Sequence, residues 1–179
     1  MEYTRLEDAK RQIDVNFFGV VNTTKAVLPY MREAGAGRIV NVSSVAAVAP
    51  IPFQTYYSVS KAAINSYSCA LANEMKPFGI TVTAIMPGDI KTGFTEARVK
   101  SPDGDVAYNG RISKSVEKME HDELNGMNAQ IAGDYICKIA LKKHVKPLYS
   151  IGSVYKLLSV LCMILPCSFK NWLIGKLYG

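Results

Sequence analysis

Arg38 to Ser43 reads RIVNVS, a short run rich in β-branched residues with Gly37 directly in front of it. A run of this kind is a buried strand, and strands buried on both faces belong to parallel sheets flanked by helices. Ile80 to Met86, reading ITVTAIM, is the next such strand, and Pro87-Gly88 turns the chain at its C-terminal end. A helical pattern precedes each. Leu6, Ala9, Ile13, Phe17, Val20, Thr24, Leu28 and Met31 recur every three or four residues, which predicts one long amphipathic helix ended by Gly35 and Gly37. Thr4 and Glu7 have the spacing of a capping box at its start. A second helix is predicted from Tyr57 to Lys76, stopped by Pro77 and Gly79. With 179 residues the chain is long enough for one domain with a real core.

Phe94 to about Ile112 is polar and irregular, with Pro102, Gly104 and Gly110, and its place after the Pro-Gly turn suits a substrate lid. Charged helices are expected over about Ser113 to Asn128 and over Ala129 to Lys143. Val145 to Ile151 is a last short strand, and Pro147 within it points to a sheet edge. The composition then changes, dividing the chain into a body of residues 1–152 and a tail of residues 153–179. In the tail Val154, Leu157, Leu158, Leu161, Ile164 and Leu165 have helical spacing until Pro166 ends the run. That run is far shorter than the ~20 apolar residues a membrane-spanning helix needs. Lys156, Lys170 and Lys176 with Trp172 and Tyr178 fit an interfacial anchor on a membrane surface. A helix closing over an apolar pocket or a neighbouring subunit fits the same residues.

The net charge of +6 is concentrated in this region. From Tyr135 to the end there are seven lysines and no Asp, Glu or Arg, so the rest of the chain is close to neutral. That argues against a nucleic-acid-binding body and for a tail that meets anionic lipid. Cys69, Cys137, Cys162 and Cys167 form no CxxC pair and no metal spacing with His121 or His144, so no metal site is expected. The cysteines read as small buried hydrophobes in a reducing compartment, and both histidines as exposed. No apolar signal segment opens the sequence, and the simplest expectation is a cytoplasmic protein.

The chemistry is concentrated between Ser44 and Lys61, SVAAVAPIPFQTYYSVSK. Tyr57 and Lys61 are four apart and project from one face of a helix, whereas Tyr56 has Ser60 at its fourth position. A phenol titrates near ~10, and a neighbouring cation lowers that value by favouring the phenolate. Such a phenol gives or takes a proton as carbonyl reduction or alcohol oxidation requires. Ser44, thirteen residues before Tyr57, ends the strand run at the sheet edge where open α/β sheets bind ligands, and is placed to hydrogen-bond the same oxygen.

NVSS, YSVSK, PGDIKT and the earlier VNFFG occur in the order and spacing of the short-chain dehydrogenases/reductases, which this chain resembles over nearly its whole length. The resemblance implies Asn16, Ser44, Tyr57 and Lys61 as catalytic residues. Tyr57 would exchange the proton, Ser44 would orient the substrate oxygen, Lys61 would lower the Tyr57 pKa and hold the nicotinamide ribose, and Asn16 would extend a water relay. It also implies NAD or NADP as cofactor, touching Tyr57, Lys61, Pro87, Gly88 and Thr92. One departure is Ala47, where the family usually has glycine.

The family's opening glycine-rich turn, TGxxxGxG, does not occur. The resemblance therefore implies an α/β, partial Rossmann-like fold, the C-terminal part of a doubly wound sheet with about three parallel strands. The strand at Arg38 to Ser43 would then have an unpaired side, which favours assembly or aggregation. The expected activity is interconversion of a secondary alcohol and a ketone on a lipophilic substrate of retinoid, steroid or acyl type. The family's dimers form through the helices that carry Asn16 and Tyr57, where Ala62, Ala63, Ser66, Ala70 and Ala72 leave a face of small residues. The alternative is a non-catalytic module that pairs with a subunit of the family or a membrane surface.

Overall fold

The computed structural model describes residues 1–98, 100 and 103–179; Pro102 of the irregular segment lies outside the described residues. Helix α1 (Leu6–Ile13), a π-helical turn (Asp14–Phe18) and α2 (Gly19–Glu33) follow one another without leaving helical backbone angles. The long helix is therefore present, but with a π turn around Asn16. The capping box is not formed. The helix starts one residue late for it: Arg5 is the N-cap, makes no side-chain cap, and turns instead to Asp8 at 2.9 Å.

Strand β1 (Gly37–Val42) leads through a 3-10 turn (Val45–Ala47) to α3 (Thr55–Met75), and β2 (Ile80–Pro87) follows. After β3 (Ile90–Lys91) come α4 (Arg111–Leu124), β4 (Met127–Asn128), α5 (Ala129–Ala140), β5 (Leu148–Ile151), α6 (Ser153–Ile164) and α7 (Cys167–Tyr178). The sheet has the order β1-β2-β5, all parallel, with Gly37 opposite Ile80, Val42 opposite Ile85, and Ala84 opposite Leu148. This is the α/β architecture expected, and β5 lies at an edge of the sheet among the described residues. Pro147 itself precedes the strand, where its carbonyl accepts from the Ala84 amide at 2.8 Å. Among the described residues β1 pairs on one side only.

The short parallel pair of β3 and β4 has no periodic signal in the sequence and was not expected. It shortens the predicted helix over residues 113–128, because Asn125-Gly126 breaks α4 and Asn128 caps α5 by accepting from the Gln130 amide at 2.8 Å.

Alternation of helix and strand produces a layered core. Ile39, Leu71, Ile80 and Val82 pack with Val27, Leu28 and Met31 of α2 on one face of the sheet. Ile85, Ile139 and Ile151 join α5 to it, while Val45, Ala49, Met86, Cys162 and Ile174 join the tail helices to it. The turn from α3 into β2 needs glycine: Gly79 has φ +70°, and a Cβ there would lie 2.3 Å from the Gly35 carbonyl oxygen.

No helix among the described residues is long and apolar enough to cross a membrane. Helices α6 and α7 bury Ser159, Cys162 and Ile174 and expose Val154, Leu157, Met163, Ile164 and Trp172. Of the four cysteines only Cys162 is buried; Cys137 and Cys167 are exposed, because they fall on the outer sides of α5 and α7.

Candidate active site

The ends of β1 and β2 open onto a cavity of about 420 Å³, and the local geometry separates Ser43 from Ser44. Ser43 is consumed by structure: its amide donates to Ile85 O at 2.7 Å and its hydroxyl to Lys61 O at 2.9 Å. Ser44 is extended, caps the 3-10 turn by accepting from the Ala46 amide at 3.1 Å, and lines the cavity.

Tyr57 lies in the first turn of α3, and Lys61 follows one turn later on the same side, with Nζ 5.7 Å from the Tyr57 ring centre. Nζ donates to Val42 O at 3.1 Å, tying α3 to the end of β1. Both side chains face the cavity with Ser44. Burial pushes the Tyr57 phenol up from its ordinary value, against the pull of the Ser44 hydroxyl, and the charges of Glu123 and Asp89 add to the rise. Burial, rather than the neighbouring Lys61, sets this net direction. The lysine is turned toward the Val42 carbonyl, and burial pushes its own pKa down.

Asn16 also borders the cavity, its Nδ2 donating to Ser60 Oγ at 3.0 Å, and the Ser60 hydroxyl donates to Tyr57 O at 2.7 Å. Asn16 lies at the middle of the π turn, and such turns occur frequently at functional sites. Pro87, Gly88 and Thr92 all line the cavity, and Thr92 accepts from the Phe94 amide at 3.2 Å. Gly88 leaves room for the Tyr155 ring, since a Cβ there would lie 2.3 Å from it. Every site residue singled out by sequence therefore meets the others around one space.

Sequence reasoning offered the tail as a cover for an apolar pocket but did not single out Asp89, Tyr155, Phe94 or Glu123 as walls of the cavity. Asp89 lies within PGDIKT but carries no spacing signal, and its carboxylate accepts a hydrogen bond from Tyr155 of α6. The Phe94 ring is 5.9 Å from that of Tyr57. Its segment is fixed by Arg98 and Thr95, which reach Glu123 of α4 at 2.5 and 2.6 Å. Leu158, Leu161, Leu165, Leu173 and Leu177 supply an apolar wall. A second, open groove of about 690 Å³ runs between α2 and the open side of β1 and meets the cavity at Asn16, Val42 and Lys61.

The model of the short chain dehydrogenase family matches residues 1–103. A 3-ketodihydrosphingosine reductase of Bacteroides thetaiotaomicron is 40% identical over 175 residues, an alignment that takes in 97% of this chain and 62% of that protein. Among solved structures, a short-chain dehydrogenase of Streptomyces avermitilis superposes with a TM-score of 0.73 at 24% identity, over 98% of this chain and 64% of the other. A short-chain dehydrogenase of Burkholderia cenocepacia in complex with NADP gives 0.70 at 20% identity, over 100% and 64%. The chain thus spans less than two thirds of the length of these relatives.

Proposed function

We propose that this chain, which belongs to the short-chain dehydrogenase family, carries the proton-transfer and substrate-binding part of an NAD(P)-dependent oxidoreductase that interconverts a secondary alcohol and a ketone. The observation that carries the reading is the convergence of Ser44, Tyr57 and Lys61 on one cavity whose far side is apolar. The donors at its polar end are an ammonium, a phenol and hydroxyls, a set that fits the ribose and carboxamide of a nicotinamide nucleotide. Lys61 and Tyr57 would hold the ribose, with Pro87, Gly88 and Thr92 beside the nicotinamide. The groove along β1, which reaches the cavity at Lys61, supports entry from that side. NAD and NADP fit this end equally.

When bound, the nicotinamide supplies or accepts the hydride. The chain handles the proton. In reduction Tyr57 gives its phenolic proton to the carbonyl oxygen, and in oxidation it takes the proton back from the alcohol. Ser44 holds that oxygen by donating from Oγ, which polarises the carbonyl. The Lys61 ammonium stabilises the phenolate left behind. Asn16, held by Ser60, supports proton resupply on the side away from substrate.

The apolar wall from α6 and α7 favours a lipophilic substrate. The outer face of the same helices, with Lys156, Trp172 and Lys176 among exposed apolar side chains, suits contact with an anionic membrane surface. Val15 and Phe18, exposed on the Asn16 helix, and the small face of α3 suit pairing with a second copy.

Replacing Tyr57 by Phe tests the reading. Turnover of a lipophilic ketone should be lost while NADH or NADPH titration, followed by cofactor fluorescence, is preserved. Substantial activity in Y57F refutes the assignment. A wild-type chain that binds neither cofactor supports the alternative of a non-catalytic pairing module.

A further inference from the structure

Three leucines of the tail belong to two surfaces at once. Leu161 of α6 and Leu173 and Leu177 of α7 line the cavity, yet Leu161 and Leu173 are each 37% exposed and Leu177 is 51% exposed. The apolar end of the cavity therefore reaches the outside between α6 and α7. Around this mouth the outer sides of the same helices expose Val160, Met163, Ile164, Phe169 and Trp172, the last two stacked at 5.7 Å.

The ends of the tail are tied and its middle is not. At the start of α6 the Tyr155 hydroxyl donates to Asp89, and Ser150 of β5 donates to Ser159 Oγ at 2.8 Å. At the end of α7 the Tyr178 hydroxyl donates to Asp122 of α4 at 3.0 Å, with the Lys118 ammonium 5.3 Å from the Tyr178 ring centre. Among the described residues no side chain between Val160 and Leu177 makes a hydrogen bond or ion pair with the body. Apolar packing holds this stretch, chiefly Cys162 and Ile174 in the cluster with Val45, Ala49 and Met86.

A tie of that kind depends on the solvent. In water, parting α6 from α7 uncovers leucine side chains, which is unfavourable in proportion to the area exposed. Against acyl chains the penalty vanishes, because lipid is as apolar as leucine. Charge selects the lipid: from Tyr135 onward there are seven lysines and no Asp or Glu, and Lys156 and Lys176 stand exposed on α6 and α7.

We propose that the turn between α6 and α7, around Leu165-Pro166, is a portal that opens on an anionic bilayer, so that an apolar ligand enters the cavity from the lipid and not from water. The proposal rests on the membrane-contact reading of the tail and goes beyond it. Contact alone would hold the chain at a surface with its cavity shut, whereas here the helices that meet the lipid are those that cover the site. Tyr155 and Tyr178 keep the two ends in place while the middle parts.

The wild-type chain carries a separate reporter for each event. Trp172 is its one tryptophan and reports contact; Cys162 is buried on the cavity side of α6, and Cys167 is exposed at the start of α7. The chain is mixed with vesicles of phosphatidylcholine, alone or with phosphatidylglycerol, preloaded with a pyrene maleimide. Trp172 emission is followed, and labelling of each cysteine is resolved by peptide mass spectrometry. The expected Trp172 blue shift needs about tenfold less lipid when the vesicles are anionic. On those vesicles Cys162 labelling, measured relative to Cys167, should rise about tenfold over that in lipid-free solution, as a shift of population toward the open form requires. Lys156→Glu with Lys176→Glu, both at exposed positions, should lose both responses, and responses that survive in this variant overturn the choice of an anionic surface. A Trp172 shift with Cys167 labelled and Cys162 protected overturns the portal and leaves membrane contact standing. No shift with either vesicle overturns both. A shift that appears without lipid and grows with protein concentration also overturns the proposal, because a second copy then covers this face.

Discussion

The Asn16 amide donates to Ser60 Oγ across 3.0 Å, and the Ser60 hydroxyl donates in turn to the Tyr57 carbonyl at 2.7 Å. This link joins the Asn16 helix to α3. The π turn places Asn16 against α3, and Ser60, fully buried, is what it meets. The link also accounts for a small residue between Tyr57 and Lys61: a larger one at position 60 would separate the helices.

Ser60→Ala should therefore destabilise the fold by about 1–3 kcal/mol, the cost of leaving the Asn16 amide without its buried partner. Urea unfolding followed by far-UV circular dichroism measures it. A midpoint equal to that of wild type would mean that water replaces the hydroxyl and the link carries no weight.

Much of this site was legible in the sequence because its chemistry is local. Tyr57 and Lys61 share a helix face by spacing alone, and Ser44 ends a strand whose apolar run marks it as buried. The π turn was not legible, since an inserted residue leaves the apolar stripe nearly unchanged on either side. Asp89, Tyr155 and Glu123 come from three separate elements, and nothing in the order of residues says that β2, α4 and α6 meet. The two alternatives for the tail had the same origin. Leu158, Leu161 and Ile174 face the cavity while Leu157 and Trp172 face outward, so one apolar sequence serves two surfaces.

Gly88→Ala should loosen the tail. A Cβ at this position lies 2.3 Å from the Tyr155 ring, so the ring must move and its hydroxyl must leave Asp89. Overpacking of this kind costs about 1–3 kcal/mol. The expected signature is a lower thermal midpoint together with faster limited proteolysis between α5 and α7. Unchanged proteolysis would show that α6 accommodates the methyl without releasing Tyr155.

Tyr155 makes stability sensitive to alkali. Burial, reinforced by the hydrogen bond to Asp89, pushes its phenol from 10.0 up to about 12. The folded state thus holds this proton after the unfolded chain has lost it. The sign follows from linkage: the contribution is fully present below pH 10 and is lost as pH rises from 10 toward about 12. Tyr155→Phe removes that dependence. The difference in unfolding free energy between wild type and Y155F should shrink steadily over this range, with Lys61 and Tyr57 cancelling between the two proteins. A constant difference would contradict the raised phenol.

Glu123 anchors the segment that brings Phe94 to Tyr57. The side chains of Arg98 and Glu123 are only 13% and 11% exposed and meet at 2.5 Å, while Thr95 donates to the second carboxylate oxygen at 2.6 Å. Glu120 stands farther from Arg98, at 3.6 Å, and compensates only in part. Glu123→Ala leaves the guanidinium nearly buried with that one weaker partner, and the expected loss is about 2–4 kcal/mol, somewhat below that of a fully broken buried pair. The loss should be local as well as global, because Phe94 reaches Tyr57 only while Thr95 and Arg98 are held. Amide exchange in residues 93–98 should therefore accelerate more than exchange in β2, and Glu123→Gln, which keeps an acceptor for Thr95, should fall between wild type and E123A. Equal acceleration across β2 and this segment would instead place Glu123 in the general stability of the fold, with no particular hold on the wall beside Tyr57.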